Sequence, residues 1–482
     1  MAIRNILVCG NFNILHPGHI RLLKFARDCG DYLSVAVMAD SVMAVVSRVP
    51  ESQRLELIKL LDFVDEAFIT TDTPAMLISK LKPWAVIKGK EFENQSNCEE
   101  SALEEYGGRL IFGSGEFGFD SGYGFQIPAT KWNHFEYSEL KDYAVRHQIT
   151  LDYLSVYFVE IKKLRVAVIG EVIVDEYIHG TAVGLSQEDP TIVMTPIRNE
   201  RFLGGAAITA GHTKSLTNNY VCLYSVLGCD AEAIFSEQQS ITYNLTPYFF
   251  KDITRPTILK TRYRIGNKTL LRVNRLRQHS VSNNIQNLIL SNFRGKIKEL
   301  DLVIFSDFNY GLLTQNLVDS ITKLCLENNV KIIADSQTSS QIGDISRYKS
   351  ALLITPTERE VRVALNNSDD GLVILANKLC EISAPKSLAI TLGEEGVFIH
   401  IPTADGLTWD NDKIPALNKN AIDPAGAGDC FLASSGLFLA AGASPWAAFY
   451  VGSIAAACQV DTLGNSPLQI DQLIDAVTAS FQ

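Results

Sequence analysis

Residues Asp423 to Asp429 read Asp-Pro-Ala-Gly-Ala-Gly-Asp and run straight into the apolar stretch Cys430-Phe431-Leu432-Ala433. The pattern predicts a turn of small residues that opens a helix with a carboxylate at its mouth. Residues without bulk let backbone N–H groups crowd around an anion, and the helix N-terminus adds partial positive charge. Asp429 could take the proton of an attacking hydroxyl there, which is the chemistry of phosphoryl transfer. A second candidate site lies toward the other end. Gly10-Asn11-Phe12-Asn13-Ile14-Leu15-His16-Pro17-Gly18-His19 follows the short apolar run Ile6-Leu7-Val8 and precedes a helical pattern. His16 and His19 would stand beside a strand-to-helix turn. Donors fixed there stabilise the charge that builds when a phosphate oxygen attacks a nucleotide's α-phosphorus. Two histidines at this spacing also occur as surface or core pairs. Zinc would need three or four ligands, and no neighbouring Cys or His supplies them.

The elements that must position these residues alternate. Strand candidates at Ile6 to Cys9, Leu33 to Met38, Ala67 to Thr70, Ala85 to Lys88 and Leu110 to Phe112 are separated by helical spacings such as Ile20/Leu23/Ala26 and Leu57/Ile58/Leu61. That is the logic of a parallel βαβ sheet. The Gly- and Ser-rich stretch Gly113 to Gly124, with Pro128 soon after, predicts the end of the first unit. A new series starts at Arg165 to Ile169 and continues at Val221 to Val226, Leu302 to Phe305, Lys331 to Ala334, Leu352 to Thr355, Leu388 to Thr391 and Val397 to Ile401. Thr191 to Ile197 and Pro256 to Val273 break the rhythm as charged, exposed strands, the pattern of a small sheet folded over a site. The expected organisation is a first domain over 1–130, a linker over 131–163 and a second domain over 164–482.

At 482 residues the chain exceeds one ordinary core, and two units are expected. Its 46% hydrophobic and 20% charged residues are those of a globular enzyme rather than a disordered chain. A net charge of -11 excludes tracking along a nucleic-acid backbone but leaves small anions held by local donors. The 9 Cys include no Cys-x-x-Cys pair and read as reduced thiols in a cytoplasmic protein. The opening residues lack the apolar run of a signal peptide. The apolar stretch Cys430 to Val460 is broken by Gly442-Ala443-Ser444-Pro445, which predicts two buried helices rather than a membrane span.

The N-terminal segment resembles the nucleotidyltransferase superfamily whose signature ends in His-x-Gly-His, and especially the adenylyltransferase half of the bifunctional heptose 7-phosphate kinase / heptose 1-phosphate adenylyltransferases. Asp72-Thr73-Pro74 and Val86-Ile87-Lys88-Gly89 match later blocks of that family, and Gln53-Arg54 its following helix. The resemblance implies that His16 and His19 meet the triphosphate, that Lys88 and Arg54 contact phosphate or substrate, and that Gly10, Phe12 and Gly18 line the nucleotide. Ser121, in Phe119-Asp120-Ser121-Gly122, stands where the family has a Ser/Thr cluster, and Ala44 to Pro50 is shorter than the family's basic loop, with only Arg48.

From about Arg165 to the C-terminus the chain resembles the ribokinase-like sugar kinases. The residues that carry this are the Asp423–Asp429 turn, Thr391-Leu392-Gly393-Glu394-Glu395-Gly396, Gly204-Gly205-Ala206-Ala207 and Gly170 to Asp175. The resemblance implies that Asp429 is the general base and that Gly426, Ala427 and Gly428 form the anion hole. It places Asp175, Gly204 and Gly205 in the sugar pocket, Thr391, Gly393 and Gly396 beside the nucleotide, and Glu360 in the Mg²⁺ environment, acting indirectly. The heptose branch has Asn, Lys, Lys and Asn where this chain has Ile208, Tyr310, Gln337 and Thr357. Lost cations predict a weaker hold on a phosphorylated sugar. Lys260, Arg262, Arg264 and Arg272 on the lid-like segment could restore positive charge or form a solvated face.

Together these features imply two Rossmann-like α/β/α domains, an N-terminal nucleotidyltransferase fold and a C-terminal ribokinase-like fold with a small β lid. The leading functional expectation is a bifunctional enzyme of nucleotide-sugar synthesis. It would use ATP, or another NTP for the transferase, with Mg2+ on small sugar phosphates, as a homo-oligomer such as a dimer, with no nucleic-acid or membrane partner. The kinase would phosphorylate a sugar or sugar phosphate, and the transferase would couple a sugar 1-phosphate to a nucleotide, giving an ADP-heptose-like product and pyrophosphate. The transferase comes first, the reverse of the usual heptose fusion. One alternative keeps a single catalytic domain beside a ligand-binding or scaffolding module. Another is a non-enzymatic protein in which Asp429 and His19 are dispensable.

Overall fold

The computed structural model describes residues 4–12, 17–42, 49–89, 92, 97–113, 132, 135–186, 188–189, 191–266, 268–338, 343–403, 408–419, 421–462 and 464–482. His16, Arg48 and Ser121, with the loops expected around them, lie outside the described residues. The chain divides into two compact units, Met1–Ala129 and Thr130–Gln482.

In the first unit the strands are β1 (Asn5–Gly10), β2 (Tyr32–Met38), β3 (Glu66–Thr70), β4 (Ala85–Gly89) and β5 (Arg109–Gly113). They form a parallel sheet of order β3-β2-β1-β4-β5. The helices are α1 (Pro17–Cys29), α2 (Glu51–Lys59), α3 (Pro74–Leu81) and α4 (Glu99–Glu104). Strand alternation sorts the core by face. Ile6, Val8, Val35, Val37 and Ile87 pack with Leu23 and Ala26 of α1, whereas Leu7, Ala36 and Val86 pack with Leu77, Ile78 and Leu103 of α3 and α4. Thr73 starts α3 by accepting the Met76 N–H, with Pro74 in the first turn where its missing donor costs nothing.

The second unit opens with helices α5 (Ser138–Arg146) and α6 (Leu151–Glu160). Residues 135–163 of the stretch expected as a linker are built into this unit's core through Leu140, Tyr143, Leu154, Phe158 and Ile161. The partners these helices pack against lie far along the chain, Tyr143 on Tyr450 and Phe158 on Phe438, so local pattern does not place them in the core. After them come β6 (Val166–Gly170), β7 (Val172–Leu185), β8 (Ile192–Gly205), α7 (Ala206–Thr217), β9 (Val221–Leu227), α8 (Ala231–Thr242), β10 (Thr246–Lys251), β11 (Ile258–Ile265), β12 (Lys268–Arg275) and α9 (Asn283–Lys296). The chain continues with β13 (Leu302–Asp307), α10 (Gln315–Glu327), β14 (Lys331–Ser336), β15 (Leu353–Ile354), α11 (Glu358–Leu365), α12 (Leu372–Ser383), β16 (Leu388–Thr391), β17 (Val397–Pro402) and β18 (Trp409–Ile414). Helices α13 (Ala427–Ala440), α14 (Pro445–Val460) and α15 (Ile470–Ser480) complete it.

The main sheet runs β10-β9-β6-β13-β14-β15-β16-β17-β18, parallel as far as β16 and antiparallel beyond. Buried on both faces, its strands are continuous apolar runs: Val166 and Val168 of β6 enter one core, Ala167 and Ile169 the other. Strand order reverses between β6 and β13, the kind of switch point where ligands bind beyond the strand ends. A second sheet, β12-β11-β7-β8, forms the expected small β layer, with β12 exposed along its length. The apolar run at 430–460 is two helices, and among the described residues no helix is long and apolar enough to cross a membrane. All nine cysteines are free.

Candidate functional site

The switch point is organised by two buried carboxylates. Glu171, just past β6, accepts the backbone N–H groups of Phe308, Tyr310 and Leu312, so one side chain folds the loop that follows β13. Burial first, then Asp307, pushes Glu171 up to about 7, and the backbone hydrogen bonds oppose this. Asp307 closes β13, accepting from Tyr348 Oη at 2.8 Å, Ser336 Oγ at 3.1 Å and Arg347. Glu171→Ala would leave three amides without their acceptor. It is expected to cost about 2–4 kcal/mol in urea unfolding of the second unit; a loss below half a kcal/mol would mean that the loop is held otherwise.

Above this floor lies the Asp423–Asp429 turn. Asp423 accepts the Ala425 N–H at 3.1 Å, the Tyr177 hydroxyl at 3.1 Å and the Gly464 N–H at 3.2 Å, tying the turn to β7 and to the segment after α14. Gly426 caps α13 at φ 81°, a left-handed conformation that suits glycine. Ala427 and Gly428 begin the helix; a Cβ added at Gly428 would meet nothing within 4 Å, and the Ala427 N–H donates to the Pro424 carbonyl at 3.5 Å. Asp429, the third helical residue, is 6% exposed. Its Oδ1 accepts the Thr209 hydroxyl at 2.8 Å. Burial raises its carboxyl to about 7, helped by Asp175 and opposed by the Thr209 hydrogen bond and by Lys260.

On the acceptor side, Asp175 of β7 is 4% exposed, and Gly204 and Gly205 end β8. A Cβ at Gly204 would fall 2.1 Å from Asp175 Oδ2, so the glycine makes room for this carboxylate. Asp175 is already engaged: Arg262 of β11 pairs with Oδ1, and Asn465 donates to Oδ2 at 3.2 Å. The expected lid cations therefore divide. Arg262 and Arg264 turn inward, toward Asp175 and Asp423, and Arg272 is exposed. The Lys260 ammonium lies 5.2 Å and 5.3 Å from the Phe308 and Tyr310 ring centres. Tyr310, which stands where the heptose branch has Lys, is fully buried beneath it.

On the nucleotide side, Thr391 ends β16 and pairs with Thr357 in an isolated bridge. Thr357 and Glu360 form the capping box of α11. Both Glu360 oxygens accept backbone N–H groups, from Thr338 and Thr357, each at 2.7 Å. Gly393 sits in an open 3₁₀ turn, whereas Gly396 is pressed against the Ile414 carbonyl and has a packing reason for its size. Asp335, at the end of β14, is held well above the ordinary carboxylate range by burial and then by Glu360 and Asp429, with Gln337 opposing. Buried carboxylates that repel one another fit a nearby cation. Among the described residues no group of three or more His, Cys, Asp or Glu is arranged to hold a metal ion.

In the first unit, Gly10 ends β1, and Phe12 follows at φ 47°, 3% exposed. Its ring meets His19 edge-on at 5.3 Å, and His19 is 9% exposed on the first turn of α1, where Gly18 precedes it. Two residues expected to contact phosphate are each paired with a carboxylate. Arg54 is fully buried, its guanidinium donating to Asp40 at 2.5 Å, to the Val49 carbonyl at 3.0 Å and to the Asn11 carbonyl. It braces the Gly10–Phe12 turn through the Asn11 carbonyl. Lys88 pairs with Glu99 at 2.8 Å and Asn97 at 2.8 Å. The motif positions gave their residue types; the carboxylates that engage them come from other elements.

Thr209, Asn465, Glu171 and Asp423 are the site residues that motif reading missed. Asp423 and Glu171 had a signal, the first as the opening residue of the turn and the second inside the Gly170 to Asp175 stretch.

With this geometry, residues 163–471 match the model of the pfkB family of carbohydrate kinases, and the chain belongs to that family. Residues 7–112 match the cytidylyltransferase-like model, so a kinase fold and a nucleotidyltransferase-like fold share one polypeptide. Among curated proteins the chain is similar to the bifunctional protein HldE of Nitratiruptor sp. (29% identical over 314 residues, 64% of this chain and 64% of that protein). It is also similar to the bifunctional protein HldE of Helicobacter pylori strain Shi470 (30% over 314 residues, 64% and 65%). The matches thus span a little under two thirds of these relatives. Ribokinase from Thermotoga maritima shares the fold at 16% identity and TM-score 0.52, covering 65% of this chain and 99% of that one.

Proposed function

We propose that the protein is a bifunctional enzyme of nucleotide-sugar synthesis, with ATP-dependent phosphorylation of a sugar phosphate such as heptose 7-phosphate in the second unit and nucleotidyl transfer to a sugar 1-phosphate in the first. The observation that carries the kinase half is a buried carboxylate, Asp429, poised near neutrality in the first turn of α13, beside open space at Gly428. The acceptor hydroxyl gives its proton to Asp429 as its oxygen attacks the γ-phosphorus, and ADP leaves. The N–H groups of Gly426, Ala427 and Gly428 take the phosphoryl oxygens. Asp175 orients the acceptor, and Lys260 faces its negative charge. Thr391 and Gly393 lie along the nucleotide. Asp335 and Glu360 are the residues that would hold Mg²⁺ through water; bound there, the ion offsets phosphate charge.

A base works as the carboxylate. With Asp429 at about 7, raised from 3.8, kinase turnover is expected to rise with pH through about 7 and level off above it. The test is ADP release by the full chain with ATP, Mg²⁺ and heptose 7-phosphate between pH 5.5 and 8.5, with mass spectrometry for a second phosphoryl group. A flat profile, or no mass gain, removes this base or this acceptor.

In the transferase half, a sugar 1-phosphate oxygen attacks the α-phosphorus of an NTP, with adenine as the favoured base, and pyrophosphate departs. His19 donates to the phosphates, as would His16. The engagement of Lys88 by Glu99 and the burial of Arg54 favour a second reading, in which this unit binds nucleotide and transfers it slowly or not at all.

A further inference from the structure

Helix α7 carries threonines at 209, 213 and 217, four residues apart on one side, and all are buried. Thr213 and Thr217 do what helical threonines ordinarily do, donating to the carbonyl one turn earlier at 2.7 Å and 2.9 Å. Thr209 is the exception. The Gly205 carbonyl is 3.3 Å from its hydroxyl, and Asp429 Oδ1, 220 residues away in sequence, is 2.8 Å from it. A hydroxyl has one proton to give, and the shorter contact is to the carboxylate. Ser306 Oγ, at the end of β13, lies 3.3 Å from Thr209 Oγ1 and can donate to it in turn. Among the described residues no hydrogen bond reaches Oδ2 of Asp429.

We propose that Thr209 is a positioning residue for the phosphoryl-transfer base: its hydroxyl holds Oδ1 of Asp429, fixes the rotation of the carboxylate and leaves Oδ2 as the atom that takes the acceptor's proton. This rests on reading Asp429 as the base. The bond exists in full strength only to the ionised carboxylate, so it also keeps Asp429 available near neutral pH against its burial. The charged and titratable groups around the carboxylate are Asp175 of β7, which disfavours ionisation, Lys260 of β11, which favours it, Asp335 of β14, which Asp429 itself disfavours, and the Cys430 thiol next along α13. From α7 and β13 the neighbours are the neutral hydroxyls of Thr209 and Ser306.

The experiment is a titration of the full chain carrying ¹³C-carboxyl aspartate, with the Asp429 resonance assigned from the Asp429→Asn spectrum; it needs no acceptor. Thr209→Val should raise the midpoint by roughly one pH unit, the effect of one lost charge-assisted hydrogen bond, and Thr209→Ser should restore it. If the valine variant folds poorly, Thr209→Ala reads the same shift. In turnover, kcat should fall with the KM for ATP unchanged, and the acid limb should move up with the NMR midpoint. A midpoint that stays put in both Thr209→Val and Thr209→Ala overturns the proposal. Retained kinase activity in Asp429→Asn would instead overturn the base assignment, whatever the titration shows.

Discussion

Asp429→Asn is expected to lower kinase turnover by ~10²–10⁴-fold while ATP binding and protein stability stay close to wild type. The amide has the carboxylate's shape, and its carbonyl can still accept the Thr209 hydroxyl, so the helix mouth keeps its geometry. What disappears is the ability to take a proton. The stability half follows from the direction of the shift. A carboxyl raised from 3.8 to about 7 by burial binds its proton more tightly in the folded chain than in the unfolded one. Its contribution is therefore most favourable below the unfolded value and is lost as pH rises through about 7. At pH 8 the neutral asparagine removes that cost, and the variant should unfold at a urea concentration no lower than wild type. ADP release and urea titration on one preparation test both halves. Turnover within tenfold of wild type ends the role of Asp429 as base, and inactivity accompanied by a large stability loss would reassign the residue to folding.

The second large effect is expected at the other unit. His19→Ala should reduce pyrophosphate release from NTP and a sugar 1-phosphate by ~10²–10³-fold, the usual loss when a donor to developing charge is removed, and leave ADP release unchanged. His19 also packs edge-on against Phe12, whose backbone sits at φ 47°, so truncation could disturb the Gly10–Phe12 turn. His19→Gln, which retains a donor and most of the volume, separates the two causes. Partial activity in the glutamine variant favours chemistry; equal loss in both, with a lowered melting temperature, favours packing. Parallel loss of kinase activity would mean that the reactions are coupled.

Much of the architecture could be read from local pattern. The interior parallel strands of both sheets fall where β-branched and apolar runs were expected, because a strand buried on both faces must be apolar throughout. Strands β10 and β18 escaped notice. The first lies at the sheet edge and is half-exposed, and the second, Trp-Asp-Asn-Asp-Lys-Ile, carries the polar residues that an outer antiparallel strand tolerates. Strand β7 was also missed; its Gly180 and Gly184 sit where the pairing register shifts and interrupt its apolar alternation.

At the sites, what the sequence by itself determined is the backbone chemistry of short motifs: the glycine turn that opens α13, the carboxylate three residues into it, and the strand-turn-helix around His19. These depend on residues a few positions apart, whose dihedral preferences and helix-end donors are local properties. Only the tertiary structure decided which charges are free to meet a ligand. Arg54, Lys88, Arg262 and Arg264 look alike as lone cations in a string of letters. Each faces a carboxylate brought by another segment, Asp40, Glu99, Asp175 and Asp423 in turn. The Thr209 hydroxyl and the burial that raises Asp429 likewise come from segments far along the chain. Ionisation and charge pairing fall off over a few ångströms in space, and sequence separation carries no measure of that distance.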